Sequence, residues 1–117
     1  MKFCKNPMRN EDGIYCSGIH QKITLEVVNF YSKAPFPNYQ GYENKFILAE
    51  TVSKNVFLND LKNYIGFNKS FIEVGSGTSQ LSLAMAIGTN NFVVAMDPTK
   101  ESLRLGSDFA KKMAFLM

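Results

Sequence analysis

A glycine-punctuated turn with an acid on each side constrains this chain most. Glu73-Val74-Gly75-Ser76-Gly77 is followed by Asp97, 20 residues beyond Gly77. The run Ser70-Phe71-Ile72-Glu73-Val74 is short, β-rich and mostly apolar, the pattern of a strand buried in a parallel sheet. Phe92-Val93-Val94-Ala95-Met96, ahead of Asp97-Pro98, reads the same way. Between them, about Ser79 to Ile87 reads as a helix with Leu81, Ala84, Met85 and Gly88 on one side. Strand, helix and strand in that order predict an α/β fold with parallel strands and a right-handed crossover.

The turn and the acids carry the chemistry. A strand that passes at once into a helix needs residues that tolerate unusual φ and close approach, which glycine does. The turn leaves main-chain amides with no partner inside the helix, and these suit an anionic or strongly polar ligand. The spacing puts Asp97 at the tip of the neighbouring strand, where it can accept hydrogen bonds from both ribose hydroxyls of an adenosine-containing ligand. A dinucleotide fingerprint, GxGxxG, would place Gln80 where a small residue lets helix and strand pack. That disfavours a nicotinamide-dependent oxidoreductase.

The rest of the chain reads as helices around this unit. Residues 1–18 are turn-rich, with Asn6-Pro7 and Asp12-Gly13 as breakers, and form an arm or small subdomain. Residues 19–66 form a helical lead-in. One helix is expected over His20–Tyr31, with Ile23, Val27 and Phe30 on one face, and a second from about Glu43 to Ile65. Phe46, Ala49, Val52, Val56 and Leu61 mark the buried stripe of the second, and Gly66 its stop. Pro35 and Pro37 separate the two. Phe36, Tyr39 and Tyr42 beside them either cover a bound ligand or pack the lead-in onto the sheet, and packing is the favoured reading. Thr99 is placed to cap a last helix carrying Leu103, Gly106, Ala110 and Met113 on one face. Met85, Met96, Met113 and Met117 read as core fillers.

Phe71-Ile72-Glu73-Val74-Gly75-Ser76-Gly77-Thr78-Ser79-Gln80-Leu81-Ser82-Leu83-Ala84 resembles the first motif of class I S-adenosylmethionine-dependent methyltransferases, (D/E)xGxGxG, with Ser79 in place of the last glycine. Val93-Val94-Ala95-Met96-Asp97-Pro98-Thr99-Lys100-Glu101-Ser102-Leu103 resembles their second motif. The resemblance covers about Ser70 to Lys112. It implies a Rossmann-like parallel sheet of which residues 67–117 hold only the first strands, preceded by N-terminal helices. It also implies S-adenosylmethionine as cofactor and a methyl acceptor that the chain does not identify. By that resemblance Gly75, Ser76 and Gly77 line the cofactor, Asp97 holds the ribose, Glu73 orients the amino group or braces the turn, and Met96 lies beside the adenine. Catalytic residues are not assigned, since they belong to parts of such a domain beyond these strands. The isolated chain is therefore expected to be inactive, a fragment of a methyltransferase. A non-catalytic cofactor-binding or scaffold module is the alternative.

Composition narrows the remaining classes. Of the 117 residues, 45% are hydrophobic and 20% charged, the balance of an ordinary globular domain. The net charge of +3 is scattered, so no nucleic-acid footprint is indicated. No apolar run approaches the roughly 18 residues of a membrane span, and no secretory h-region follows Met1-Lys2. A cytoplasmic location is the expectation. Cys4, Cys16 and His20 fall one ligand short of a structural zinc set and contain no CxxC pair, so they read as ordinary thiols and a surface histidine. An unpaired sheet edge is an expected place for association.

Overall fold

The computed structural model describes residues 9–11, 14–16, 22–42 and 44–114. Among them are five helices and two separate two-stranded sheets. β1 (Arg9–Glu11) and β2 (Ile14–Cys16) pair antiparallel, within the stretch expected to be an arm or small subdomain. Ile14 is buried, and β2 rests on the last helix of the chain.

α1 spans Lys22–Lys33. Its expected inner face is turned largely outward, with Val27 and Phe30 exposed. The single helix expected over residues 43–65 is two helices, α2 (Lys45–Lys54) and α3 (Val56–Ile65). Asn55 makes the break. Its extended backbone ends α2, and its side-chain oxygen accepts from Leu58 N at 3.1 Å to start α3. Asn44 caps α2 in the same manner, accepting from Phe46 N and Ile47 N. The break rotates the expected stripe apart. Val52 is buried and Ala49 and Leu61 are partly so, whereas Phe46 and Val56 are exposed. Gly66 ends α3 at φ 74°.

β3 (Ser70–Val74) and β4 (Phe92–Met96) pair in parallel, Glu73 opposite Ala95 and Val74 opposite Met96. α4 (Gln80–Ala86) crosses between them, and α5 (Lys100–Ala114) follows β4. All the packing lies on one side of this sheet. Leu48, Val52, Ala84, Met85, Phe109 and Met113 form the buried cluster, with Phe71, Leu81, Tyr39 and Tyr42 against it. Met85 is 1% exposed, and burying a side chain of that size contributes about 1.5–3 kcal/mol.

The other side of the sheet is bare. Ile72, Val74, Phe92, Val94 and Met96 all point away from the core, Val74 at 80% exposure. The expectation of strands buried on both faces is thus corrected. Alternation puts residues 71, 73, 93 and 95 on the helix side and their neighbours on the open side. Met96 is accordingly half exposed rather than a core filler, while Met85 and Met113 are in the core. Among the described residues no helix is long and apolar enough to cross a membrane.

Candidate functional site

The carboxyl ends of β3 and β4 bring Glu73, the Gly75–Gly77 turn and Asp97 to one place. Parallel pairing in register sets the two strand tips side by side, so the residues just beyond them meet. Gly77 N donates to Asp97 Oδ2 at 2.8 Å, and Thr99 N donates to Asp97 Oδ1 at 2.8 Å. The carboxylate is therefore aimed by two main-chain amides, one from the turn after β3 and one from its own loop after β4. A carboxylate offers about four acceptor positions, so Asp97 keeps capacity for a ligand hydroxyl. Glu73 stands on the helix side of β3, and the Ser82 hydroxyl donates to its Oε2. Ser82 was not singled out from sequence. It lies 9 residues after Glu73, and only the fold returns it to that carboxylate.

The turn's amides are not open, contrary to the expectation from sequence. Gly75 N and Ser76 N both donate to Met96 O, at 2.8 and 3.0 Å. Gly77 N is taken by Asp97, and Ser79 N donates to Ser76 O at 2.9 Å. The neighbouring strand tip satisfies three of these amides, and the Ser76 carbonyl the fourth. Met96 thus touches the turn through its carbonyl, while its side chain stands half exposed on the bare face beside Val74. The acceptors at this end of the sheet are the carboxylates of Asp97 and Glu73.

Ser79 carries a backbone cost. It sits at φ 66°, ψ 23°, in the left-handed region that favours glycine. Ser79 is buried, and its hydroxyl lies 3.4 Å from that of Ser76. Close packing at the turn's exit comes instead from Gly106 in α5. A Cβ there would meet Thr78 O at 2.5 Å and Ser79 Cβ at 3.0 Å.

Residues 36–40 close the turn from its other side. The Thr78 hydroxyl donates to Pro37 O, and Gln80 Nε2 donates to Asn38 O at 2.5 Å. Tyr39 Oη donates to Thr78 O at 2.6 Å, and its ring stacks on Phe109 with centroids 4.4 Å apart. Tyr42 meets Phe109 edge-on. The two tyrosines therefore pack, as the favoured reading had it, while Phe36 is 70% exposed. Burial holds the Tyr39 hydroxyl well above its ordinary pKa, and the nearby Glu73 charge pushes the same way. The misfit of Gln80 to the dinucleotide pattern thus has a structural cause: its amide is a tether.

The opposite end of the sheet differs. A cavity of about 330 Å³ opens there between α2, α3 and the turns at 66–67 and 88–89. Its charged lining group, Lys62, donates to Ala84 O and Ile87 O at 2.7 and 2.8 Å, ending α4, and burial lowers its pKa. Cys4 and His20 lie outside the described residues, and only the main chain of Cys16 is described. Among the described residues no three acidic, histidine or cysteine side chains gather as a metal would need. Comparison with protein-family models, with curated proteins and with solved structures gives no match.

Proposed function

We propose that this chain binds S-adenosylmethionine at the carboxyl ends of β3 and β4, as part of a Rossmann-like methyltransferase domain. The observation that carries the reading is the 2.8 Å bond from Gly77 N to Asp97 Oδ2, which makes turn and carboxylate one site. With four turn amides already partnered, the site favours a ligand that brings donors and positive charge over one that brings phosphate oxygens. Ribose hydroxyls, an ammonium and a sulfonium fit that demand. A dinucleotide pyrophosphate, which needs open amides, does not. In this reading Asp97 takes the ribose hydroxyls, Glu73 faces the cationic end, and Gly75, Ser76 and Gly77 form the wall between them. Catalysis in such a domain is positioning of the methyl group before an acceptor. The bare sheet face favours a second reading, a non-catalytic module that binds the same cofactor and carries a protein partner on Ile72, Val74 and Phe92.

Calorimetric titration with S-adenosylmethionine, S-adenosylhomocysteine and NAD tests the cofactor. The adenosyl-amino-acid ligands should bind and NAD should not. Asp97→Ala should weaken binding at least tenfold in a protein that still unfolds cooperatively. NAD binding as tight as the others, or undiminished affinity after Asp97→Ala, would end the proposal. Methyl transfer separates the two readings.

A further inference from the structure

The Gly75–Ser79 turn is held by β4 on one side and, on the other, by a segment about 40 residues earlier in the chain. That second hold is dense for a connecting loop. Three hydrogen bonds join residues 37–39 to Thr78 and Gln80. The Phe36 carbonyl oxygen sits 2.7 Å from where a Cβ on Gly77 would be, so the loop lies directly on the turn and only glycine admits it. The bonds run in both directions. Thr78 and Gln80 donate to loop carbonyls, and Tyr39 donates back to the Thr78 carbonyl. Neither segment can leave without stripping polar groups from the other, and with the strap in place Thr78 is 0% exposed. Tyr39 is further anchored by its stack on Phe109, which ties the loop to α5.

We propose that Phe36–Tyr39 is a strap that sets the shape of the glycine turn, that strap and turn open and close as one unit, and that Tyr39 and Gln80 are positioning residues for the ligand held at Asp97. Both act through other groups, Gln80 through the Asn38 carbonyl and Tyr39 through Thr78. A ligand that binds only the closed turn then also holds the strap shut, because binding to one state stabilises everything coupled to it. The ligand part of this proposal rests on the adenosyl reading above, whereas the coupling of strap to turn does not.

Hydrogen exchange followed by mass spectrometry tests the coupling on the full chain. The relevant amides are Gln40 and Tyr42, which follow the strap and are bonded to Asn38 and Tyr39 within it, and Gly75, Ser76, Gly77 and Ser79 in the turn, all bonded in the closed form. Gln80→Met keeps the bulk and removes the donor, and Gln80→Lys restores a donor. Without ligand, Gln80→Met should speed exchange five- to tenfold in both segments, leave α2 unchanged, and be rescued by Gln80→Lys. Tyr39→Phe should do the same by its own route. Acceleration in the strap alone, or in neither segment, overturns the proposal. With S-adenosylhomocysteine added, the wild-type chain should be protected in both segments. Gln80→Met should bind it five- to tenfold more weakly in a chain that still unfolds cooperatively in urea, and equal affinity would remove the positioning role. If the wild-type chain binds no S-adenosylhomocysteine, the adenosyl reading falls, and the ligand-free exchange alone decides the strap.

Discussion

At the amino end of the β3–β4 sheet one neutral side chain, Asn91, holds three stretches of main chain together. Its oxygen accepts from Lys69 N, and its amide donates to Gly66 O and Met85 O. Thr89 Oγ1 closes the same corner on Met85 O and Ala86 O. At the carboxyl end the corresponding work falls to Asp97 and Glu73. Both ends need their loops tied down, but an amide matches donors with acceptors and leaves little over. A carboxylate only accepts, and two backbone amides do not exhaust it. The difference teaches where to look for chemistry on a sheet this small. At the amino end the side chain's hydrogen-bonding capacity is spent on the protein's own loops, and at the carboxyl end acceptor capacity is left over.

The contrast can be broken most strongly at the amino end. Asn91→Ala removes three bonds and takes the partner from Gly66 O and Lys69 N, so unfolding free energy should fall by about 3 kcal/mol in urea titration. Ligand affinity of the folded fraction should not change. Gly106→Ala tests the carboxyl end. Alanine in place of a helical glycine ordinarily gains up to about 1 kcal/mol, but here the new Cβ would press on Thr78 O and Ser79. A loss of about 2 kcal/mol is expected instead, and a stabilised protein would mean that the turn yields easily.

Tyr39→Phe should cost about 1 kcal/mol at neutral pH by leaving Thr78 O without its donor. It should also change the alkaline limb. The folded Tyr39 hydroxyl has a raised pKa, so its support for the fold is complete below the unfolded value of about 10 and is lost as pH rises through it. The wild-type chain should therefore lose stability above about pH 10 more steeply than Tyr39→Phe does. The smallest effect sharpens the comparison: Ser79→Gly should gain about 0.5–1 kcal/mol, because glycine adopts that backbone without strain.

Much of the α/β unit was legible in the sequence. The two β-rich runs were bounded by glycine and by Asp97-Pro98, and their strands have the expected limits. The break at Asn55 was not legible, because helical periodicity continues across it and only the side chain's capping bond interrupts the helix. Nor was the bare face. An apolar run such as Phe92–Met96 looks the same whether one side is covered or both. At the site, the positions of Asp97 and the turn followed from spacing, but the fate of the amides did not. Their partner is the Met96 carbonyl, and a main-chain acceptor leaves no residue-type signal. The strap was hidden for a related reason. Its bonds join residues 37–39 to residues 78–80, and all three acceptors, Thr78 O, Pro37 O and Asn38 O, are again main-chain carbonyls. Gln80 was the visible trace, as an odd residue in a familiar pattern.

The two bonds that aim Asp97 bear on kinetics. Because Gly77 and Thr99 already aim the Asp97 carboxylate, a molecule arriving there finds its anchor fixed in advance. Little of the encounter is spent on ordering the protein, so variants of the surrounding contacts should alter how long a guest stays far more than how fast it comes.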